Sequence, residues 1–237
     1  IDVNKLIIVG SENEFFLPYK DKYDLCIQKN PDGTGGALKS AKHLFKGYND
    51  IVLVCYGDTP FISKNTLLKL IKAIKQNNDI ALTCFKKNEL NAYGKVLLSS
   101  EKKPIKIIED KKSTHKISLC NGGLMAFNGT KLLELLKKLK KDQETNEYFL
   151  TDVVELANNA GLNIKPVTIN EKEILGINNK KELSEAENLA QQLFRKKALE
   201  KGITLLDPKT VYFSYNTIIE KDVIIHPNVI LGQNVKI

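Results

Sequence analysis

Ile51-Val52-Leu53-Val54-Cys55 runs without a break into Tyr56-Gly57-Asp58-Thr59-Pro60. An apolar, β-branched run of that length fits a strand covered on both faces, as strands of parallel sheets are. Gly57 and Pro60 predict that the chain leaves the sheet there in a turn. Asp58 is then delivered to the carboxyl edge of the sheet, where open α/β folds bind their ligands. A carboxylate held there suits a hard cation, because Mg²⁺ needs few protein oxygens. It equally suits the cap of a turn or helix.

The rest of the chain repeats the alternation. Strand-like stretches near Leu6, Leu25, Ile51, Ile80, Val96, Ile105, Leu119 and Val167 are separated by helical patterns over residues 37–45, 65–75, 131–139, 151–160 and 181–198. Strand alternating with helix predicts an α/β fold, a mainly parallel sheet with helices on both faces. Ser63 and Thr151 are expected N-caps, with Asp152 and Glu155 placed to favour an early helical turn. Asp207-Pro208 breaks the chain after the long last helix.

Two further segments bear on a site. Gln28-Lys29-Asn30-Pro31-Asp32-Gly33-Thr34-Gly35-Gly36 follows a short strand and opens a helix whose Ala37, Leu38, Ala41, Leu44 and Phe45 share a face. Glycines at such a turn let backbone N–H groups approach a ligand, and a helix start favours negative charge. Neither the Walker spacing nor G-x-G-x-x-G is present. Gly176-Ile177-Asn178-Asn179 precedes the last helix. By itself an Asn pair there is a cap or turn, although the carboxamide oxygen of Asn178 is an acceptable Mg²⁺ donor.

From Thr217 an aliphatic-rich register recurs every six residues, at Thr217, Val223, Val229 and Val235, with an aliphatic residue two places later each time. Hexapeptide periodicity predicts a parallel β-helix. His226 falls in a turn of that pattern and is expected to be structural or exposed.

The formal net charge of +8 invites a nucleic-acid reading, but Arg195 is the only arginine among 36 Lys and Arg residues. Base-edge and bidentate phosphate recognition favour Arg. The lysines are scattered over helix faces, as solvated surfaces have them. No nucleic-acid partner and no membrane is expected, since no apolar stretch approaches the roughly 20 residues of a span. Cys26, Cys55, Cys84 and Cys120 form no C-x-x-C pair and are expected to be reduced core residues of a cytoplasmic protein rather than zinc ligands.

Taken in order, Gln28 with Gly33-Thr34-Gly35, Tyr56-Gly57-Asp58-Thr59-Pro60, Tyr93-Gly94-Lys95, Ile107-Ile108-Glu109, Asn121-Gly122-Gly123, Asn146-Glu147-Tyr148-Phe149-Leu150-Thr151-Asp152 and Gly176-Ile177-Asn178-Asn179 resemble one family. It is that of the bifunctional UDP-N-acetylglucosamine pyrophosphorylases/glucosamine-1-phosphate N-acetyltransferases. The resemblance covers essentially the whole chain. It implies a Rossmann-like nucleotidyltransferase domain over residues 1–180, a linker helix over 181–205, and the first rungs of a left-handed β-helix over 206–237. It also implies uridylyl transfer from UTP to N-acetylglucosamine-1-phosphate, giving UDP-N-acetylglucosamine.

The same resemblance implies the site. Asp58 and Asn178 would hold Mg²⁺ at the nucleotide phosphates, with Asp58 catalytic. Gln28, Gly33 and Thr34 would face uracil, Gly94, Glu109 and Asn121 the acetamido sugar, and Tyr56 and Gly57 would also bind substrate. Without it, Glu109-Asp110-Lys111-Lys112 reads as a solvated charge run and Asn121 as a turn residue. Two positions depart from the family, which usually has a hydroxyl residue at Gly122 and commonly a histidine at Gly36. The family's phosphate-binding, Gly-rich loop has no counterpart here, and the chain begins at Ile1 with Met125 its only methionine. A fragment with half an active site is therefore expected, inactive alone. Acetyl-CoA chemistry and a homotrimer are expected only of a longer parent protein. A sugar-1-phosphate adenylyl- or thymidylyltransferase, or a non-catalytic regulatory homologue, are the alternatives.

Overall fold

The structure, a computed structural model, describes residues 4–10, 14–87, 93–109 and 119–237. It divides into two compact units, Ile1–Ile174 and Leu175–Ile237. The charge run Asp110-Lys111-Lys112 lies outside the described residues.

The first unit opens with β1 (Leu6–Val9) and β2 (Asp24–Ile27), paired in parallel from Leu6↔Asp24 to Val9↔Ile27. Helix α1 (Gly33–Ser40) follows, and a 3₁₀ turn over Lys42–Phe45 completes the helical pattern. The main sheet contains β3 (Ile51–Val54), β4 (Ile80–Lys86), β5 (Lys95–Leu98), β6 (Pro104–Ile108), β7 (Leu119–Asn128) and β8 (Ile164–Thr168). Between them lie α2 (Lys64–Lys75), α3 (Gly129–Lys138) and α4 (Asp152–Asn159). Strands β3, β4, β5 and β8 point one way, as the strand–helix alternation predicts, while β6 and β7 run against them.

The long reversed strand β7 organises the site. One of its edges carries β4; its other edge carries β5 at Cys120 and β3 from Met125 to Asn128. Between those two neighbours, at Gly122, Gly123 and Leu124, that edge has no strand partner among the described residues. Opposite, the β4 register jumps: Leu82 pairs with Met125 but Cys84 with Asn121. Thr83 bridges the bulge, its hydroxyl donating to the Leu124 carbonyl at 3.0 Å and accepting from the Leu124 N–H at 3.1 Å. Bulges of this kind re-aim side chains and recur beside functional sites.

Strand pleating splits the core in two. Ile80, Leu82 and Cys84 of β4 face α1, α3 and α4, whereas Ala81 and Phe85 face α2. Burying Leu82 or Phe85 completely stabilises the fold by roughly 1.5–3 kcal/mol each. Ser63 caps α2 as expected, accepting from the Thr66 N–H at 3.1 Å. Thr151 does not cap α4: it is buried, has helical φ and ψ, and makes no cap bond. A side chain drawn into the core cannot also turn back to the helix N–H groups. Cys26, Cys84 and Cys120 are buried as expected, but Cys55 is exposed, because β3 ends at Val54 and the chain has already left the sheet.

In the second unit, α5 (Lys180–Glu200) is capped by the Asn179 side-chain oxygen, which accepts from the Glu182 N–H at 2.9 Å. Short strands follow: β9 (Thr204–Leu205), β10 (Tyr212–Phe213), β11 (Ile224–Ile225) and β12 (Ile230–Leu231). Parallel pairing joins Tyr212 to Ile230 and Ile218 to Lys236, in each case 230 − 212 = 236 − 218 = 18 positions apart. Phe213, Ile219, Ile225 and Leu231, six apart, form the buried row. Asp222, Asn228 and Asn234, also six apart, take positive φ at the corners, a conformation that Asn and Asp tolerate best among residues with a Cβ. No helix among the described residues is long and apolar enough to cross a membrane.

Candidate functional site

The β2–α1 turn is built by two distant segments. Gly33 has φ +88°, and a Cβ there would stand 2.6 Å from the Tyr148 carbonyl oxygen. That close approach lets the 146–152 segment lock the turn: Gly35 N–H donates to the Tyr148 carbonyl at 2.8 Å, and Tyr148 N–H to the Asp32 carbonyl at 2.8 Å. Leu150 N–H donates to the Thr34 hydroxyl at 3.2 Å. The Lys39 ammonium lies 4.1 Å from the centre of the Tyr148 ring, a cation–π contact that closes the assembly. Two motifs more than a hundred residues apart in sequence thus form one platform, with Thr34 exposed on it. Gln28 is half-buried beside it, its amide nitrogen donating to Asp32 Oδ1 at 3.0 Å and to the Gly33 carbonyl at 3.2 Å.

At the end of β3 the chain turns as expected, held by the Thr59 hydroxyl donating to the Tyr56 carbonyl at 3.0 Å. Gly57 takes no positive φ, and among the described residues other than its chain neighbours nothing lies within 4 Å of where its Cβ would be. Asp58 is exposed beside it. The Tyr56 ring lies against Gly123, where a Cβ would stand 2.8 Å from Cε2. Burial pushes the Tyr56 phenol up to about 12; its hydrogen bond with Thr34 opposes this, and the Glu109 and Asp58 carboxylates add to the rise. Thr34 at the start of α1, Asp58 after β3 and Glu109 after β6 therefore all act on one phenol.

The third part is the start of β5 and its neighbours. A Cβ on Gly94 would stand 2.9 Å from Glu109 Oε2, so glycine is what admits that carboxylate. Asn121 N–H donates to the Gly94 carbonyl at 2.8 Å, and the Asn121 side-chain oxygen accepts from the Gly123 N–H at 3.0 Å. Gly94, Glu109, Asn121 and Gly123 are in this way one cluster, tied to Tyr56 through Gly123. At Gly122 a Cβ would come within 2.6 Å of the Thr83 hydroxyl. Thr83 therefore fills the room a larger residue would need, which accounts for glycine at this point of departure from the family.

Asn178 lies in the second unit. Its backbone N–H and side-chain nitrogen donate to Glu182 Oε2 at 2.6 and 3.1 Å. That pairing turns the carboxamide nitrogen toward its own helix. Among the described residues no group of three or more His, Cys, Asp or Glu side chains is gathered about a point where a metal could sit. Sequence reasoning missed Asp32, Thr83 and Lys39. Their roles depend on contacts across the fold or on a side chain folded back over a turn, neither of which a local pattern carries.

Residues 1–156 match the model of the MobA-like NTP transferase domain family. The chain is 40% identical over 213 residues to the bifunctional protein GlmU of Bartonella quintana, covering 89% of this chain and 47% of that protein. It is 39% identical over 239 residues to the GlmU of Bartonella bacilliformis, covering 100% of this chain and 51% of that one. The chain thus spans about half the length of the curated relatives it matches. A crystal structure described as a candidate UDP-N-acetylglucosamine pyrophosphorylase from Entamoeba histolytica superposes with TM-score 0.72 at 15% identity, over 98% of this chain and 78% of that chain. CMP:2-keto-3-deoxy-manno-octonic acid synthetase superposes with TM-score 0.57, also at 15% identity, over 81% of this chain and 82% of that one. At that identity both show likeness of fold alone. By the match over residues 1–156 of its 237, the chain belongs to the MobA-like NTP transferase domain family.

Proposed function

We propose that the protein takes part in uridylyl transfer from UTP to N-acetylglucosamine-1-phosphate, yielding UDP-N-acetylglucosamine and pyrophosphate. The observation that carries this is the convergence on Tyr56 of the glycine-rich turn on one side and the Gly94–Glu109–Asn121 cluster on the other. A nucleotide sugar has this same division, with base and sugar at opposite ends of a diphosphate. The similarity to GlmU proteins, and the description of the Entamoeba neighbour as a UDP-N-acetylglucosamine pyrophosphorylase, support the reading.

In this reading Gln28, Gly33 and Thr34 hold the uracil edge, whose paired donors and acceptors a Gln amide and glycine backbone match. Glu109 accepts from sugar hydroxyls, and Asn121 and the Gly94 backbone orient the acetamido group. A phosphate oxygen of the sugar phosphate attacks the α-phosphorus of UTP, the bond from that phosphorus to the α,β-bridging oxygen breaks, and pyrophosphate leaves. Among the described residues, nothing beyond its chain neighbours crowds the space above Gly57, where the phosphates would lie beside Tyr56. Asp58 is a donor that a hard divalent cation would take, Mg²⁺ in particular; a single protein carboxylate suits an ion that keeps phosphate and water in its remaining positions. Such an ion would neutralise charge developing on the phosphates.

Residues 1–180 are then the nucleotidyltransferase domain, 181–205 a linker helix, and 206–237 the opening coils of a hexapeptide β-helix. Acetyl transfer from acetyl-CoA and trimeric assembly belong, in the same proposal, to the longer protein. The test is calorimetric titration of the protein with UDP-N-acetylglucosamine and with UDP-glucose, in the presence of Mg²⁺. We expect one site per chain and at least tenfold weaker binding of UDP-glucose, since a lost buried hydrogen bond costs about 1–3 kcal/mol. Equal binding of both, or of neither, overturns the assignment.

A further inference from the structure

Gln28 is held in one orientation by a side chain that local sequence patterns give no reason to notice. Its amide nitrogen donates both hydrogens, to Asp32 Oδ1 at 3.0 Å and to the Gly33 carbonyl oxygen at 3.2 Å. A carboxylate and a carbonyl can only accept. The nitrogen end must therefore face the turn, and the carbonyl oxygen Oε1 is what Gln28 offers outward. Asp32 is itself anchored: its other oxygen, Oδ2, lies 3.8 Å from the Lys141 ammonium, and its side chain is 22% exposed. It stands at the N-cap position of α1 yet makes no cap hydrogen bond. The carboxylate that would ordinarily cap the helix has been turned onto Gln28 instead.

This arrangement requires Gly36. A Cβ at position 36 would stand 2.0 Å from Asp32 Oδ1 and 3.2 Å from the Gln28 amide nitrogen. No backbone strain explains this glycine, because Gly36 has no positive φ. The glycine is explained by the space that the Asp32 carboxylate and the Gln28 amide occupy.

We infer that Asp32, with Gly36 making room for it, is a specificity-determining positioning residue: it fixes the Gln28 amide so that the site accepts a ring N–H and rejects a ring nitrogen lone pair. The inference rests on the reading that Gln28 faces the base. Uracil presents N3–H to Oε1, whereas cytosine presents an N3 lone pair that Oε1 repels. If the Asp32 carboxylate is removed, only the Gly33 carbonyl still holds the amide nitrogen, and the amide turns over more readily to donate to cytosine N3. In this inference Asp32 acts on the base through Gln28.

The experiment is calorimetric titration of the protein and three variants with UTP and with CTP, in Mg²⁺ buffer, with thermal unfolding as a check on folding. In Asp32→Ala we expect the preference for UTP over CTP to fall roughly tenfold, mostly through tighter CTP binding, because polar groups wrongly paired in a buried site dominate such discrimination. Gly36→Ala keeps every charge and favours the helix, yet should lose the preference to a similar extent by displacing Asp32. Asp32→Asn retains an acceptor and should recover part of it. An unchanged UTP/CTP ratio in both Asp32→Ala and Gly36→Ala, with folding intact, overturns the inference while leaving the functional reading standing. A protein that shows no UTP preference before any substitution overturns the functional reading and this inference with it.

Discussion

The ring of Tyr56 lies over Gly123 at a distance that excludes any side chain there, with 2.8 Å between Cε2 and the position a Cβ would take. Gly123 sits on the stretch of β7 between the partners β3 and β5, and its φ of +80° is a conformation few other residues adopt. Gly123→Ala should therefore be destabilising twice over: about 1–2 kcal/mol for the backbone, and more for displacing the ring. Urea unfolding of the variant should show a lower midpoint, and a midpoint equal to that of the wild type would mean that the contact is not constraining.

Thr83 is expected to matter as much as any residue that meets substrate. Its buried hydroxyl serves both the N–H and the carbonyl of Leu124 across the bulge. Thr83→Val keeps the shape and removes both bonds, leaving two buried backbone groups unpaired at about 1–3 kcal/mol each. We expect clear thermal destabilisation, and weaker UDP-N-acetylglucosamine binding in the folded fraction. A stable variant with unaltered binding would show that the bulge does not depend on this hydroxyl.

The Tyr56 phenol carries a pH signature. Its ordinary value of 10.0 is raised to about 12, chiefly by burial. Between those values the unfolded chain has lost this proton and the folded protein has kept it. The group is then neutral in stability below about pH 10 and costs stability as pH rises toward 12. Comparing urea midpoints of the protein and of Tyr56→Phe across this range should show a steeper alkaline decline in the protein with tyrosine. Parallel declines would mean that the phenol titrates normally.

Glu109→Ala and Asn121→Ala should weaken sugar binding far more than UTP binding. Each removes a polar partner on the sugar side, at about 1–3 kcal/mol, and neither belongs to the glycine-rich turn. Separate titrations with UTP and with N-acetylglucosamine-1-phosphate, in Mg²⁺ buffer, distinguish the two effects. Equal losses for both ligands, or none for either, would remove these residues from the sugar side.

Much of this was legible in the sequence, and what was not has physical causes. The run 51–55 gave β3 and the exit at Tyr56, because an apolar strand followed by glycine and proline is a local signal, but β3 is half-buried along its length rather than covered on both faces. The reversed direction of β7 was not legible, since alternation reports that a strand exists and not which way it points. Cys55 counted as core only because it ends an apolar run, one residue beyond the point where the sheet stops. Thr151 had the chemistry of a cap but sits in a buried position, and the pull of the core decided it. On the site, the pairing of the 146–152 segment with the glycine-rich turn joins Thr34 and Leu150. Contacts at that separation are set by the fold, and composition or spacing gives no sign of them.

The most direct test is a crystal structure with UDP-N-acetylglucosamine and Mg²⁺. We expect the uracil edge at Gln28 and Gly33, the diphosphate beside Tyr56, Gly57 and Asp58, and the acetamido sugar against Gly94, Glu109 and Asn121. Ligand density away from Tyr56, or a nucleotide bound with its sugar directed away from Glu109 and Asn121, would contradict the proposed site.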